Sequence, residues 1–348
     1  MSRLAVVLMN LGGPDRLESV RPFLFNLFND RAIIGLPQPA RWLLAQFISR
    51  RRTPTARGIY AELGGGSPLL KNTEDQAAAL TADLTARMPG ETIRCFIAMR
   101  YWHPMADEAV DAVREWGPDR ILLLPLYPQY STTTTASSLR QWHQTAARRG
   151  LRIPTTTLCC YPTLDGFVAA IADQIRDGLR TIGREAVPRI LFSAHGLPEK
   201  IVARGDPYQF QVERTAAAVV AALHGESFDW VVCYQSRVGP LEWIRPYTED
   251  EIRRAGAEGV PLIVAPIAFV SEHSETLVEL DIEYRKLAER AGVPRYHRVA
   301  TVNSAGAFVA SLSGLAADAL SGDERLCSGD GGRLCPADRT QCAFAASA

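Results

Sequence analysis

Short apolar runs rich in Val, Ile and Leu alternate along the chain with longer amphipathic stretches. The runs LAVVLM (4–9), TIRCFIAM (92–99), RILLLPL (120–126), TTTLCC (155–160), RILFSA (189–194), WVVCYQ (230–235), PLIVAPIAF (261–269) and RVATVN (298–303) predict strands. Between them, helices are expected near 74–88, 106–117, 136–149, 166–182, 208–223, 274–291 and 304–319. Continuously apolar strands separated by amphipathic helices imply an α/β fold built on mostly parallel sheets.

The two halves of the chain echo each other. VLMNLGGP (7–14) and LFSAHGLP (191–198) both run from an apolar strand into Gly and Pro at matching offsets, and LLPLYPQYS (123–131) parallels VAPIAFVS (264–271). This predicts two similar α/β lobes, 1–162 and 163–320, with the last helix able to pack back on the first lobe. Residues 321–348 lack either period and read as a tail outside the sheets. Ligands of such sheets bind at the carboxyl ends of strands, so the loops after the paired strands should face a common cleft. The first lobe has Leu11 where the second has His195, which places reactive chemistry on the second.

Composition narrows the function classes. Lys+Arg and Asp+Glu both number 38, so no basic excess advertises a nucleic-acid partner. The apolar stretch 4–9 is too short for a signal-peptide core or a membrane span, and a cytoplasmic protein is expected. Seven cysteines, four in strand-like runs and three in the tail, fit thiols in a reducing compartment better than a disulfide framework.

Two constellations could carry chemistry. His195 ends a strand beside Gly196 and Pro198, where an imidazole can bind metal or accept a proton near neutral pH. In SEHSETLVELDIEY (271–284), Glu275, Glu279 and Glu283 recur every four residues behind Glu272 and His273. Oxygen ligands beside imidazole suit a divalent metal such as ferrous iron. The apolar load of FLFNLFND (23–30) and ARWLLAQFISRRRTP (40–54) either packs on its lobe or forms a lip for a flat apolar ligand or for peripheral membrane contact. GGGSP (64–68) lacks the Lys-Ser/Thr of a phosphate loop, and its glycines are read as allowing close approach to a broad ligand.

Seven ordered blocks make the sequence similar to the ferrochelatases over essentially 1–320: LMNLGGP (8–14), YAELGGGSPL (60–69), AMRYWHP (98–104), LYPQYS (126–131), SAHGLP (193–198), CYQSRVGPLEW (233–243) and PIAFVSEHSETLVELDIEY (266–284). The resemblance implies a chelatase-like pair of Rossmann-like lobes around a porphyrin cleft, and insertion of ferrous iron, as substrate, into protoporphyrin IX without an organic cofactor. It implies His195 and Glu275 as the iron-site pair, sharing metal binding and proton acceptance. Leu11, Arg52, Tyr60, Ser67, Arg100, Tyr101, Trp243, Phe269 and His273 fall on porphyrin-pocket positions. Leu11 stands where some relatives carry Met or Tyr. Some ferrochelatases hold a [2Fe-2S] cluster on three C-terminal cysteines and one after the PQYS block. Here Cys327, Cys335 and Cys342 supply the three, Thr132 to Thr135 leave the upstream position empty, and Cys159 or Cys160 is the substitute. Rival readings are a coproporphyrin III ferrochelatase, a cobalt or nickel chelatase of the same fold, and a non-catalytic haem or porphyrin carrier. The oligomeric state is left open.

Overall fold

A computed structural model describes residues 2–183 and 185–347. In chain order the elements are β1 (Ser2–Asn10), α1 (Val20–Phe28), α2 (Ala40–Glu62), α3 (Leu69–Arg87), β2 (Glu91–Met99), α4 (Ala106–Trp116), β3 (Arg120–Pro125), α5 (Thr135–Arg148) and β4 (Thr155–Leu158). They continue with α6 (Asp165–Ile182), β5 (Arg189–His195), α7 (Glu199–Val202), α8 (Tyr208–Ala222), β6 (Asp229–Gln235), α9 (Thr248–Glu258) and β7 (Leu262–Pro266). A π-helix (Glu275–Glu283) runs into α10 (Tyr284–Ala291), followed by β8 (Tyr296–Arg298), α11 (Gly306–Ser321) and β9 (Leu326–Cys327).

The chain forms two compact units. The first comprises Met1–Cys160 with Ser313–Gly331, and its parallel sheet has the order β2-β1-β3-β4-β9. Leu4 to Leu8 of β1, which lies between β2 and β3, are all fully buried, as expected of a strand covered on both faces. Each such Leu or Val side chain contributes about 1.5–3 kcal/mol. One face packs Val7, Phe96 and Leu123 against Val110 and Val113 of α4 and Trp142 of α5. Acidic residues in its first turn and Gly117 at φ +65° after its last bound α4.

The second unit comprises Tyr161–Leu312 with Gly332–Ala348, and its parallel sheet has the order β6-β5-β7-β8. Leu191, Cys233 and Val264 pack here against Ile252 of α9, Leu280 of the π-helix and Tyr284. The four-strand order of this sheet repeats β2-β1-β3-β4 of the first. Register repeats with it, for Met9 pairs with Pro125 as Ser193 pairs with Pro266. The echo between VLMNLGGP and LFSAHGLP is therefore an echo of topology.

Four features depart from the sequence reading. The strand expected at 298–303 is instead β8, over 296–298; Val299 and Val302 are buried without continuing the ladder, and Asn303 turns at φ +43°. Their apolar alternation marks burial rather than pairing. The tail is not outside the sheets, because Leu326 and Cys327 pair in parallel with Thr157 and Leu158. Two residues are too few to show a period. The helix expected at 274–291 is a π-helix followed by α10. Finally, α9 has only Ile252 and Ala255 as buried apolar residues, so its charged sequence gives little periodic signal.

Candidate functional site

In the second unit, three chain segments leave the carboxyl ends of adjacent strands and meet. β5 ends in His195, which lies in register with Gln235 at the end of β6, and the loop after β7 leads into the π-helix. His195 Nδ1 lies 3.1 Å from Glu275 Oε2, and His273 Nε2 lies 3.8 Å from the same oxygen. The Phe269 and His273 rings are 4.6 Å apart, and the Trp243 ring meets His195 edge-on at 6.4 Å. Gly196 fits closely here, because a Cβ would lie 3.0 Å from the Gln235 carbonyl and 3.1 Å from the Trp243 ring. The side chains of His195 and Glu275 remain 38% and 28% exposed, so an incoming molecule can reach them.

Glu279, one turn further along, is held from β6. Ser236 donates its backbone N–H to Glu279 Oε1 at 2.9 Å and its hydroxyl to the same carboxylate. Gln235 Nε2 donates to Oε2 at 3.2 Å, and Tyr284 Oη donates to Oε1 at 3.0 Å. Ser236 adopts φ +63°, a region uncommon for a non-glycine residue, and this turn aims its donors at the helix. Gln235 is oriented in turn by Ser193, whose hydroxyl donates to Gln235 Oε1 at 2.7 Å.

Electrostatics divide the labour. Burial opposes charge on His195, but the facing Glu275 carboxylate, its hydrogen bond and Glu279 raise the imidazole above its ordinary value. Burial likewise opposes charge on Glu275, yet His195 and then His273 pull its carboxyl down to about 2. Glu279 is pushed up to about 7 by burial and by the like charge of Glu275, against the donors from Ser236 and Tyr284. His273 is lowered by burial. A hydrogen-bonded imidazole and carboxylate and one further carboxyl poised near neutral pH thus stand together, with nitrogen and oxygen donors that can bind a hard cation and groups that can carry protons. Glu283 is exposed.

In the first unit, Leu11, Tyr60 and Tyr101 join an apolar cluster with Val20, Phe23 and Leu24. Arg52 is exposed on α2, with its guanidinium 5.8 Å from the Phe28 ring. Arg100 and Tyr101 follow β2, and both turn to Asp30: Arg100 Nη2 lies 2.6 Å and Tyr101 Oη 2.7 Å from Asp30 Oδ2. Arg100 Nε also donates to Ser137 Oγ at 2.8 Å. Within GGGSP, Gly66 makes room for a neighbouring backbone, since a Cβ there would lie 2.4 Å from the Asp15 carbonyl, and Ser67 N–H donates to the Pro14 carbonyl at 2.7 Å; Gly64 and Gly65 adopt φ +83° and +104° with open space around them.

The cysteines fall into two groups. In the first unit, Cys159 and Cys160 have sulfurs 3.6 Å apart, and Cys159 N–H donates to the Cys327 carbonyl at 2.9 Å. In the second, Gln211 Nε2 donates to Cys335 Sγ at 3.1 Å. Cys342 is lowered to about 6, chiefly by a hydrogen bond from the Cys335 thiol. Among the described residues, no three His, Cys, Asp or Glu side chains are gathered into a metal-holding group.

Sequence reasoning missed Asp30, Gln235 and Ser236. Asp30 has a local partner in the Ala32 N–H, which donates to its Oδ1 at 3.0 Å, but Arg100 and Tyr101 lie about seventy positions away. Gln235 and Ser236 sit inside CYQSRVGPLEW, where their place at a strand end was the available clue.

The ferrochelatase family model matches residues 3–320. A ferrochelatase of Caulobacter vibrioides is 53% identical over 340 residues, covering 98% of this chain and 97% of its own. One of Phenylobacterium zucineum is 54% identical over 341 residues, covering 98% of each. Among solved structures, SirB of Bacillus subtilis with Fe3+ aligns over 92% of this chain and 96% of its own, with a TM-score of 0.52 and 11% identity. The cobalt complex of a sirohydrochlorin chelatase from Bacillus subtilis subspecies spizizenii aligns over the same shares with a TM-score of 0.51 and 12% identity, a likeness of fold. With half of its residues shared with those relatives from end to end, and with imidazole and carboxylates meeting at its strand ends, the chain belongs to the ferrochelatase family.

Proposed function

We propose that the protein inserts ferrous iron into protoporphyrin IX to form protohaem. The observation that carries this reading is the meeting of His195, Glu275 and Glu279 in a chain matched over almost its whole length by ferrochelatases. A free porphyrin holds two pyrrolic protons in a rigid planar hole, so metal entry requires their removal and a bent macrocycle. Glu275 engages His195 Nδ1, which leaves Nε2 of the neutral imidazole as the ring atom that takes one pyrrole proton, the carboxylate then holding the imidazolium, and ionised Glu279 takes the other. Glu275, kept ionised, offers oxygen to iron, and Glu279 is poised to release or take up a proton beside it. Leu11, Arg52, Tyr60, Ser67, Arg100, Tyr101, Trp243, Phe269 and His273 are the proposed porphyrin contacts. Binding energy spent on the ring supplies a distortion of about 1–5 kcal/mol.

The exposed Trp42, Leu43 and Phe47 of α2 favour protoporphyrin over the more acidic coproporphyrin, and they support peripheral membrane contact. No helix among the described residues is long and apolar enough to cross a membrane. For the tail, we propose a [2Fe-2S] cluster ligated by Cys327, Cys335, Cys342 and Cys159 or Cys160. Support comes from the paired Cys335 and Cys342 and from the acidity of Cys342, since thiolates are the ligands of such clusters.

The test is an anaerobic insertion assay with protoporphyrin and coproporphyrin side by side and a panel of divalent metals. Iron protoporphyrin as the preferred product is expected. Cobalt-only insertion, or a clear preference for coproporphyrin, overturns the reading.

A further inference from the structure

The π-helix that carries Glu275 and Glu279 is fastened from outside by the edge strand β8. Arg298 Nη1 lies 2.5 Å from Glu272 Oε1, just ahead of the helix, and Arg298 Nη2 bonds Asp281 Oδ2 inside it. Only 8% of the Arg298 side chain is exposed, against 14% for Glu272. Glu272 Oε1 is fixed again by the Thr301 N–H at 2.9 Å, and the Glu272 N–H by Asn303 Oδ1 at 3.1 Å. Two residues before Arg298, Tyr296 Oη donates at 2.6 Å to the carbonyl of Leu280. The next carbonyl, of Asp281, accepts from Arg285 Nε at 3.1 Å. Donors outside the helical ladder thus serve carbonyls where the wide π turns give way to α10.

Register decides where the carboxylates point. A π-helix bonds i to i+5 and turns more slowly per residue than an α-helix of 3.6 residues per turn. Relaxing Glu275–Glu283 to α geometry would rotate Asp281, six residues on from Glu275, by about a third of a turn, and Glu279 by about a fifth. The first rotation breaks the bond to Arg298, and the second takes Glu279 away from Gln235 and Ser236. One guanidinium joined to Glu272 and Asp281 is therefore compatible with the register that aims Glu279 at β6.

We propose that Arg298, with Tyr296 beside it on β8, is a positioning residue that locks the π register and so sets the affinity of the carboxylate row for ferrous iron. This deepens the reading above and rests on it.

The test compares R298M, R298K, D281N and Y296F in the full-length protein, measuring KM for Fe²⁺, kcat, porphyrin affinity by fluorescence and melting temperature. R298M is expected to raise the iron KM about ten-fold while leaving porphyrin affinity within about two-fold, since small misplacements of binding groups are costly. R298K, which keeps the charge but not the two-pronged fork, should recover part of that loss. Y296F removes one tie and D281N weakens two, to Arg298 and to Arg285 Nη2 at 3.5 Å, and each should raise the iron KM by a smaller factor. Should R298M fail to fold, D281N and Y296F decide alone. Folded D281N and Y296F with wild-type iron KM, or losses confined to kcat in proportion to the folded fraction, overturn the proposal. H195A separates the two levels. If it abolishes turnover while the β8 variants keep wild-type iron KM, only the register lock falls; if H195A turns over normally, the assignment of the site falls with it.

Discussion

His195 Nδ1 and Glu275 Oε2 stand 3.1 Å apart although eighty positions separate them in the chain. The pair is partly exposed to an incoming molecule, with the Trp243 ring edge-on to His195 and His273 Nε2 3.8 Å from Glu275 Oε2. If the imidazole takes the pyrrole proton, H195A should lower iron insertion by about 10²–10⁴-fold, the usual worth of a positioned base. Porphyrin affinity should stay within a few-fold. E275Q, which keeps the shape but not the charge, should also lower the basicity of His195, moving the acidic limb of the rate profile to lower pH. Anaerobic rates across pH, with porphyrin binding followed by fluorescence, check both; an H195A rate within three-fold of wild type would remove the histidine from the chemistry.

Glu279 makes folding stability depend on pH near neutrality. Its folded value of about 7 lies above that of an exposed glutamate, so the fold favours the protonated form. Its contribution is complete below about pH 4.3, declines as the unfolded chain alone ionises, and levels off above about 7. The wild type should therefore lose on the order of 2 kcal/mol relative to E279Q across that window, a figure reduced for solvent around a partly exposed side chain. Urea melts of both proteins at pH 4.5, 6 and 7.5 measure the difference. A constant gap between them would show that Glu279 titrates as an ordinary surface carboxylate.

Sequence pattern carried the alternation of strands and helices, because parallel strands buried on both faces must be apolar throughout. It also placed His195 and Glu275, since strand ends in such sheets face the ligand side. It could not show that the row from Glu275 to Glu283 is π rather than α. Four-residue spacing keeps side chains near one face in both, and the register is imposed by Tyr296 and Arg298 from a strand of three residues. Asp30 stayed invisible for a related reason, as its meaning comes from Arg100 and Tyr101 rather than from its neighbours in FNLFND.

That Asp30 carboxylate has a 9% exposed side chain and is the joint partner of Arg100 and Tyr101. Removing it leaves the Arg100 guanidinium, itself 16% exposed, without its counter-charge. D30A should destabilise the protein by about 3–5 kcal/mol. The paired D30A/R100M variant should recover part of this, because the orphaned charge is gone. Chemical denaturation of the two single variants and the double gives the coupling, and strictly additive losses would mean that the ion pair is not the source.

Two glycines predict substitutions of opposite sign. A Cβ at Gly66 would lie 2.4 Å from the Asp15 carbonyl, and backbone on both sides leaves little room to give. G66A should cost about 1–3 kcal/mol, the range of overpacked sites. Gly58 lies inside α2 with open space around it, so G58A should add about 0.5–1 kcal/mol through helix propensity and a less flexible unfolded chain. Melting temperatures that move together in the two variants would contradict the packing argument.

The tail cysteines give the last expectation. Cys335 and Cys342 are buried free thiols joined by a hydrogen bond, which lowers Cys342 to about 6. Protein purified without oxygen should be brown and carry about two iron and two sulfide per chain. C335A should abolish the colour and return the Cys342 thiol toward its ordinary value, because it removes the side-chain donor that lowers it. Alkylation rates of Cys342 against pH read the second effect independently of metal. Between C159S and C160S, the variant that loses the chromophore identifies the remaining ligand; a colourless wild type without iron or sulfide removes the cluster, leaving the two tail thiols as a buried pair.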